Sequence, residues 1–430
     1  MRGIKRFGGA AAALLLAACG GGGQGGGQGG QQLGALSEKV TVNFWEAMAG
    51  GSLKPTLEQL TQQFNQSQDK VTVQLQVYPD YSTLNAKTLA ALAAGSPPDM
   101  AQCYENWAAK YNQSHALADL TPYINAKDGL SQDSLKDIFP VFLNDGKLGG
   151  KQYMFPFNKS DYVLYYNEDL FKQAGLSGPP ATWEEFFADA QKLTGGGHWG
   201  TDNSNAIELI FEEMLMDYGG SLLSKDQTRA AFNSDIGVKV LQMWQDGIRS
   251  GSVHTISGYD DADFGSGKEA MSIGTIAGYS YKQDAVKGKF TMKTAVQPRG
   301  PQGSHSVIQG TNLCVFSHSP QAVQHGAFQF IKFLTDKAQT MLWSEKTGYV
   351  PVRQSAYKEM QTSFYPSNPN LAVAPQQLGT AVFDPALPTW NEAVGDLTTE
   401  IGNALSGRKT AKQALDDAAK QVNDLLASGG

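Results

Sequence analysis

One proline inside an aromatic run constrains this chain more than any other feature. Residues 150–176 read GKQYMFPFNKSDYVLYYNEDLFKQAGL. Pro156 carries no N–H and disfavours helical backbone in the residue before it, so 152–157 is expected to be extended. Residues 162–166, rich in aromatic and branched side chains, read as a second strand. Asn167 and Asp169 then cap a helix carrying Leu170, Phe171 and Ala174, which Gly175 stops. Between the strands stands Asn158-Lys159-Ser160-Asp161. Four polar side chains in a row do not suit a buried sheet, so this point faces a cleft or is an ordinary loop.

The chain before it alternates strand and helix. Val40 opens a buried strand, and Leu53, Leu57, Leu60 and Phe64 recur at helical spacing. Val71, Val73, Leu75 and Val77 alternate with polar residues as a half-buried strand, an alanine-rich helix covers 84–94, and 99–104 reads as a strand. This order predicts an α/β lobe with a largely parallel sheet, in which ligands bind at the carboxyl ends of strands. Three such ends carry aromatic or acidic side chains: Trp45-Glu46, the segment 78–81 with Tyr81, and Glu105-Asn106-Trp107. Trp45 or Trp107 alone reads equally well as core. Three such ends on one edge point to a shared site.

Downstream, Thr182 and Glu185 have capping-box spacing around a structural Trp183. A strand ending at Ile273 leads into the glycine and aromatic loop 274–281. Residues 306–316 (SVIQGTNLCVF) form another strand, interrupted at Gly310, where backbone can approach a ligand closely. A further passage between lobes is expected near 357–364, and the tail from 387 to 426 is largely helical.

The N-terminus carries Arg2, Lys5 and Arg6 ahead of a short apolar run, 10–18, and ends Leu16-Ala17-Ala18-Cys19. That run is far below the roughly 20 residues that cross a bilayer. The ending resembles the bacterial lipobox, which implies diacylation of Cys19 and a lipid anchor. Residues 1–19 are thus expected to be a signal peptide with lipobox, and 20–35 a flexible Gly/Gln tether. The remaining cysteines, Cys103 and Cys314, are expected to be buried free thiols.

A net charge of −7 argues against nucleic acid or an anionic membrane surface as partner. No Cys/His spacing suits a metal, and none of the phosphate-loop, G-x-S-x-G, H-E-x-x-H or kinase motifs is present, so no cofactor and no catalysis are expected. Paired carboxylates have no spacing signature, which leaves a secreted carbohydrate-active hydrolase as the alternative reading.

The G-K-x-Y-x-x-P-x-N segment, Y-Y-N-x-D-x-F-x-x-A-G-L after it, TWEEF at 182–186 and KTGYVP at 346–351 together resemble the extracellular solute-binding proteins of carbohydrate-type ABC importers, most of all their glycerol-3-phosphate branch. The resemblance implies a two-lobed periplasmic-binding-protein fold, each lobe a largely parallel sheet with flanking helices, joined by three hinge crossovers. Lobe one would take 36–157 and 310–358, and lobe two 158–309 and 359–430. It implies a monomer on the outer face of the membrane that captures a sugar, glycerol-3-phosphate or glycerophosphodiester and delivers it to ABC permease subunits. It places ligand contacts at Tyr81, Glu105, Ser160, Gly310 and Tyr349, with Thr275, Gly278 and Tyr279 as candidates in the post-strand loop. Trp45 and Trp390 are added as aromatic walls. One departure stands out: where the family has a phosphate-neutralising Arg, this chain reads Ala381-Val382-Phe383-Asp384.

Overall fold

Alternating apolar residues draw Val71–Val77 and Val40–Glu46 together in parallel, in register from Val40↔Val71 to Glu46↔Val77, and Met100–Cys103 pairs parallel on the other side. The computed structural model describes residues 32–428, apart from 205 and 257, and Leu33 onward belongs to one compact unit. Cys19 and the leader expected around it lie outside the described residues.

Five strands make the first sheet, in the order Val71–Val77, Val40–Glu46, Met100–Cys103, Gln309–Val315, Met154–Ser160. One strand breaks the expected parallel pattern. Gln309–Val315 runs antiparallel to both its neighbours. The second sheet sets Tyr162–Asn167 between Met271–Thr275 and Met292–Ala295, both antiparallel to it. Thr201–Asp202 pairs parallel with Val253–His254, and a parallel Trp199↔Glu269 bridge ties that pair to the lead-in of Met271–Thr275. The first sheet is therefore mixed, and the three-stranded sheet is antiparallel at both of its pairings. A parallel neighbour needs a return crossover of a dozen or more residues, whereas Tyr162–Asn167 follows Met154–Ser160 after the single residue Asp161. It enters its sheet directly from the other lobe, against the direction of the strands that arise within that lobe.

Each sheet has its own core. Val42, Phe44, Leu57, Leu60, Phe64, Phe155 and Trp343 fill the first; Leu164, Trp183, Phe186, Phe211, Trp244 and Leu415 fill the second. Full burial of one such side chain stabilises by about 1.5–3 kcal/mol, so both bodies have substantial cores. A third cluster, with Val163, Tyr165, Ile276, Ile308, Val350 and Val352, sits where the chain passes between them.

Three passages link the lobes. Asp161 is the first. The second and third run side by side, because Ser306–Val307 pairs parallel with Ala381–Val382. The third comes later than expected: residues 357–364 fall largely in the helix Gln354–Ser363, which buries Ala356 and Met360 one turn apart. Pro366, Pro369 and Pro375 then hold the chain in successive 3-10 turns, and Asn370 already accepts from the Thr294 amide and hydroxyl of the second sheet.

Candidate ligand cleft

The strand ends that the sequence singles out do converge. Trp45, half-buried, meets Tyr78 edge-on at 5.2 Å. Asp80 accepts from the Thr83 amide at 2.7 Å, capping the helix Tyr81–Ala93 and placing Tyr81 in its first turn. The Tyr81 ring packs edge-on against Tyr104 at 5.5 Å and Trp107 at 6.4 Å. The third strand turns straight into the helix Glu105–Asn112, so Glu105 is a first-turn helical residue, with its carboxylate at the positive end of the helix dipole.

Asn158-Lys159-Ser160 is not a break between strands. It is the end of the strand Met154–Ser160, and these residues are 0, 1 and 2% exposed. Their burial is possible because partners meet them. The Asn158 side-chain carbonyl accepts from Thr311 Oγ1 at 2.6 Å and Gln102 Nε2 at 3.0 Å, while its amide donates to the Tyr81 hydroxyl at 2.9 Å. Tyr349 hydrogen-bonds within the same group, to Asn158 and Tyr81. Lys159 Nζ lies 2.8 Å from Asp145 Oδ2, which also accepts from Asn312 Nδ2 at 2.6 Å. Ser160 pairs with Gln309 across the sheet.

Gly310 has φ +82°, and a Cβ there would stand 1.7 Å from the Asn158 carbonyl oxygen. Its glycine is thus demanded by the crossing strand, where the sequence suggested approach to a ligand.

In the second lobe the loop after Met271–Thr275 becomes the 3-10 turn Ile276–Gly278 and the helix Tyr279–Val286. The Ile276 amide donates to Asp161 O at 2.9 Å, which fixes this loop against the first crossing. Gly278 faces open space. The Tyr279 hydroxyl accepts from Asn370 Nδ2 at 3.3 Å, within its own lobe. Tyr281, which the sequence reading passed over, reaches the first lobe: a Cβ on Gly50 would be 2.6 Å from its hydroxyl oxygen. Trp390 is 1% exposed in the second core, and its indole N–H donates to Asp384 Oδ1 at 3.3 Å. Its ring is enclosed by core side chains, and its polar edge positions an acid.

That acid belongs to the main electrostatic feature. Burial pushes the Glu105 carboxyl well above the usual carboxylate range; Asp145 and Asp384 push it further, and Lys159 draws it back. Burial also raises Glu212, again with Asp384 and Glu105 contributing, and Glu212 and Asp384 share a hydrogen bond. Acids from both lobes therefore face one another, and the cation acting on Glu105 is already paired with Asp145. Glu212 and Asp384 went unread as site residues. The one signal was two adjacent acids, Glu212-Glu213, inside the apolar helix Ile207–Asp217.

Two mixed α/β lobes, linked by three passages and meeting across buried acids and aromatic rings, define a two-lobed solute-binding protein. Residues 59–373 match the family described as bacterial extracellular solute-binding protein, and the chain belongs to it. It is 28% identical over 408 residues to the sn-glycerol-3-phosphate-binding periplasmic protein UgpB of Yersinia enterocolitica, covering 90% of this chain and 92% of the relative. Among solved structures, the cyclic alpha-maltosyl-1,6-maltose binding protein of Arthrobacter globiformis superposes with TM-score 0.78 at 25% identity, over 91% of this chain and all of that one. UgpB of Mycobacterium tuberculosis, in complex with glycerophosphocholine, superposes with TM-score 0.81 at 20% identity, over 91% and 99%. The chain is the solute-binding component of an ABC importer. Among the described residues no helix is long and apolar enough to cross a membrane.

Proposed function

We propose that the chain captures a hydroxyl-rich, non-anionic solute, a sugar first of all, between the lobes and presents it to the permease. The observation that carries this reading is the charge balance of the cleft: Glu105 and Glu212 are buried, Asp384 is half-buried and raises both, and Lys159 is held by Asp145. Carboxyl groups bond sugar hydroxyls well in either protonation state, whereas a phosphate would be repelled by each one that ionises and would lack the Arg fork that makes strong charge-assisted bonds. Tyr81, Tyr104 and Tyr349 supply flat apolar surface with polar tips. Glycerol-3-phosphate is the ligand named for the Yersinia relative and glycerophosphocholine that of the Mycobacterium structure. Both are tested beside sugars.

A thermal-shift panel of mono- and disaccharides, glycerol-3-phosphate and glycerophosphodiesters, followed by calorimetry, decides. Ligand at a hundred times its Kd adds about 2.7 kcal/mol of stability. A shift with glycerol-3-phosphate alone overturns the sugar reading.

The protein binds and does not hydrolyse in this reading. Glycosidases hold their two carboxyls about 5–9.5 Å apart across the scissile bond, whereas Glu212 and Asp384 hydrogen-bond to each other. We place the changes of lobe at Asp161, Ser306–Val307 and Ala381–Val382, later in the third case than the expected bounds of 36–157 and 310–358 for lobe one and 158–309 and 359–430 for lobe two, with a monomer anchored through lipid on Cys19 and tethered by 20–35. Incorporation of labelled fatty acid that persists in Cys19→Ala would remove the anchor from this account.

A further inference from the structure

Behind the cleft, three acids distant in sequence meet in the second lobe. Asp202 ends the strand Thr201–Asp202, Glu269 pairs with Trp199 ahead of Met271–Thr275, and Asp260 precedes the helix Asp261–Ser266. One oxygen of each lies within 4.8 Å of the others. Asp202 is 2% exposed and Glu269 is fully buried. Each spends one oxygen on backbone: Asp202 Oδ1 accepts from the Ser204 amide at 2.7 Å, and Glu269 Oε1 from the Asp202 amide at 2.9 Å. Their second oxygens, Asp202 Oδ2 and Glu269 Oε2, are buried with no donor from any other group, so only a proton shared between the two carboxyls can bond them. Lys282 does not meet this need. Its ammonium lies 2.5 Å from Asp260, donates to Ser272 at 3.0 Å, and stands 3.8 Å from Asp261.

Two carboxylates, Asp260 and Asp261, thus take up the one ammonium, while Asp202 and Glu269 have no ion pair among the described residues, and buried carboxylate oxygens short of donors are costly. We propose that Asp202, Asp260 and Glu269 bind a divalent cation of the calcium type. The donors are all hard oxygens, and calcium accepts mono- or bidentate carboxylates in irregular geometry, where magnesium demands a near-ideal octahedron. Burial pushes the Asp202 carboxyl up to about 7 and Glu269 well above its usual range, so cation binding near neutral pH would displace a proton. Asp260 follows Tyr259, an exposed aromatic side chain. Asn203, next to Asp202, accepts from the Ile256 amide at 2.9 Å, so the same corner holds the segment that presents Tyr259.

The test uses the full chain after chelator treatment, with calcium calorimetry at neutral pH and terbium luminescence excited through Trp199. Expected are saturable binding of one ion, a raised Tm, and terbium emission displaced by calcium. Asp202→Asn and Glu269→Gln should each weaken binding by about tenfold or more. Trp199→Phe should lose the emission and keep the calcium affinity. No calcium heat and no terbium emission up to millimolar ion overturns the proposal, and this measurement needs only the wild-type protein. Binding that survives both acid substitutions also overturns it. If the wild type binds no ion and Asp202→Asn stabilises the metal-free protein, the pair shares a proton and the proposal falls.

Discussion

The Asn158 side-chain amide donates to the Tyr81 hydroxyl at 2.9 Å, joining the first crossing strand to the helix that begins at the second strand end. Its carbonyl takes Gln102 and Thr311, and Gln102 in turn accepts from the Ala47 amide at 2.7 Å. One buried amide therefore sets the positions of three strand ends and of the aromatic wall they carry.

Asn158→Ala should lower the stability of the unliganded protein by about 2–3 kcal/mol, because Gln102, Thr311 and Tyr81 lose partners in a site with little water. Chemical denaturation measures it. A loss below about 0.5 kcal/mol would show that the network closes without Asn158.

Gly310→Ala is the harsher change. The new Cβ would overlap the Asn158 carbonyl oxygen, and φ of +82° is itself unfavourable for alanine. Strain and steric displacement together should cost about 3 kcal/mol or more, with a large fall in Tm. A Tm within a degree of wild type would mean that the two strands are free to move apart.

The elements that could be read from sequence are those whose signal is local. The strand Val71–Val77 alternates as read over Val71, Val73 and half-buried Leu75 before Val77 emerges at the surface, the helix Leu53–Ser67 buries Leu57, Leu60 and Phe64 as spaced, and Thr182 accepts from the Glu185 amide at 3.2 Å as its motif implies. Cys103 and Cys314 are buried and free, as expected. What could not be read depends on tertiary pairing. Asn158-Lys159-Ser160 looked like a break because burial of polar residues is affordable only when distant partners, here Tyr81, Asp145, Gln102 and Thr311, arrive to bond them. Strand direction in the second sheet follows from a one-residue crossing that no periodicity reports. Trp390 looked like a stacking platform from its place near Asp384, yet only the packing of the tail helices decides which part of the ring stays accessible. Glu212 and Asp384 meet from separate passages of the chain, and their union left no spacing to recognise.

Acidity should stabilise the unliganded protein. Burial pushes the Glu208 carboxyl up to about 7, with Asp384 adding to the rise. A carboxyl whose folded value exceeds its unfolded one binds protons better when folded, so its contribution is present below about pH 4 and is lost as pH rises through 7. Glu105, Glu212, Glu213 and Asp161 shift in the same direction. Stability should therefore fall from pH 4.5 to 7, and Glu208→Gln should remove on the order of 2 kcal/mol of that fall. A wild-type profile that is flat or rises over this window would contradict the buried acid cluster.

Glu105 carries the sharpest test of the binding site. It sits 4% exposed in the first turn of its helix, held above the ordinary carboxylate range by burial and by Asp145 and Asp384. A ligand whose hydroxyls donate to this side chain favours the carboxylate over the acid, so binding should release a proton. Affinity should then rise with pH above the ordinary carboxylate range, and the measured heat should vary with the ionisation enthalpy of the buffer. Glu105→Ala removes the acceptor and leaves ligand hydroxyls unpaired at about 1–3 kcal/mol, a loss of tenfold or more in Kd. The same change should leave the unliganded Tm unchanged or raised, because it relieves repulsion from Asp145 and Asp384. Ser160→Ala, at the end of the crossing strand, should weaken binding less, since a neutral hydroxyl makes the weaker bond. Unaltered affinity in Glu105→Ala, measured by calorimetry on a ligand that shifts the wild type, would place the site elsewhere.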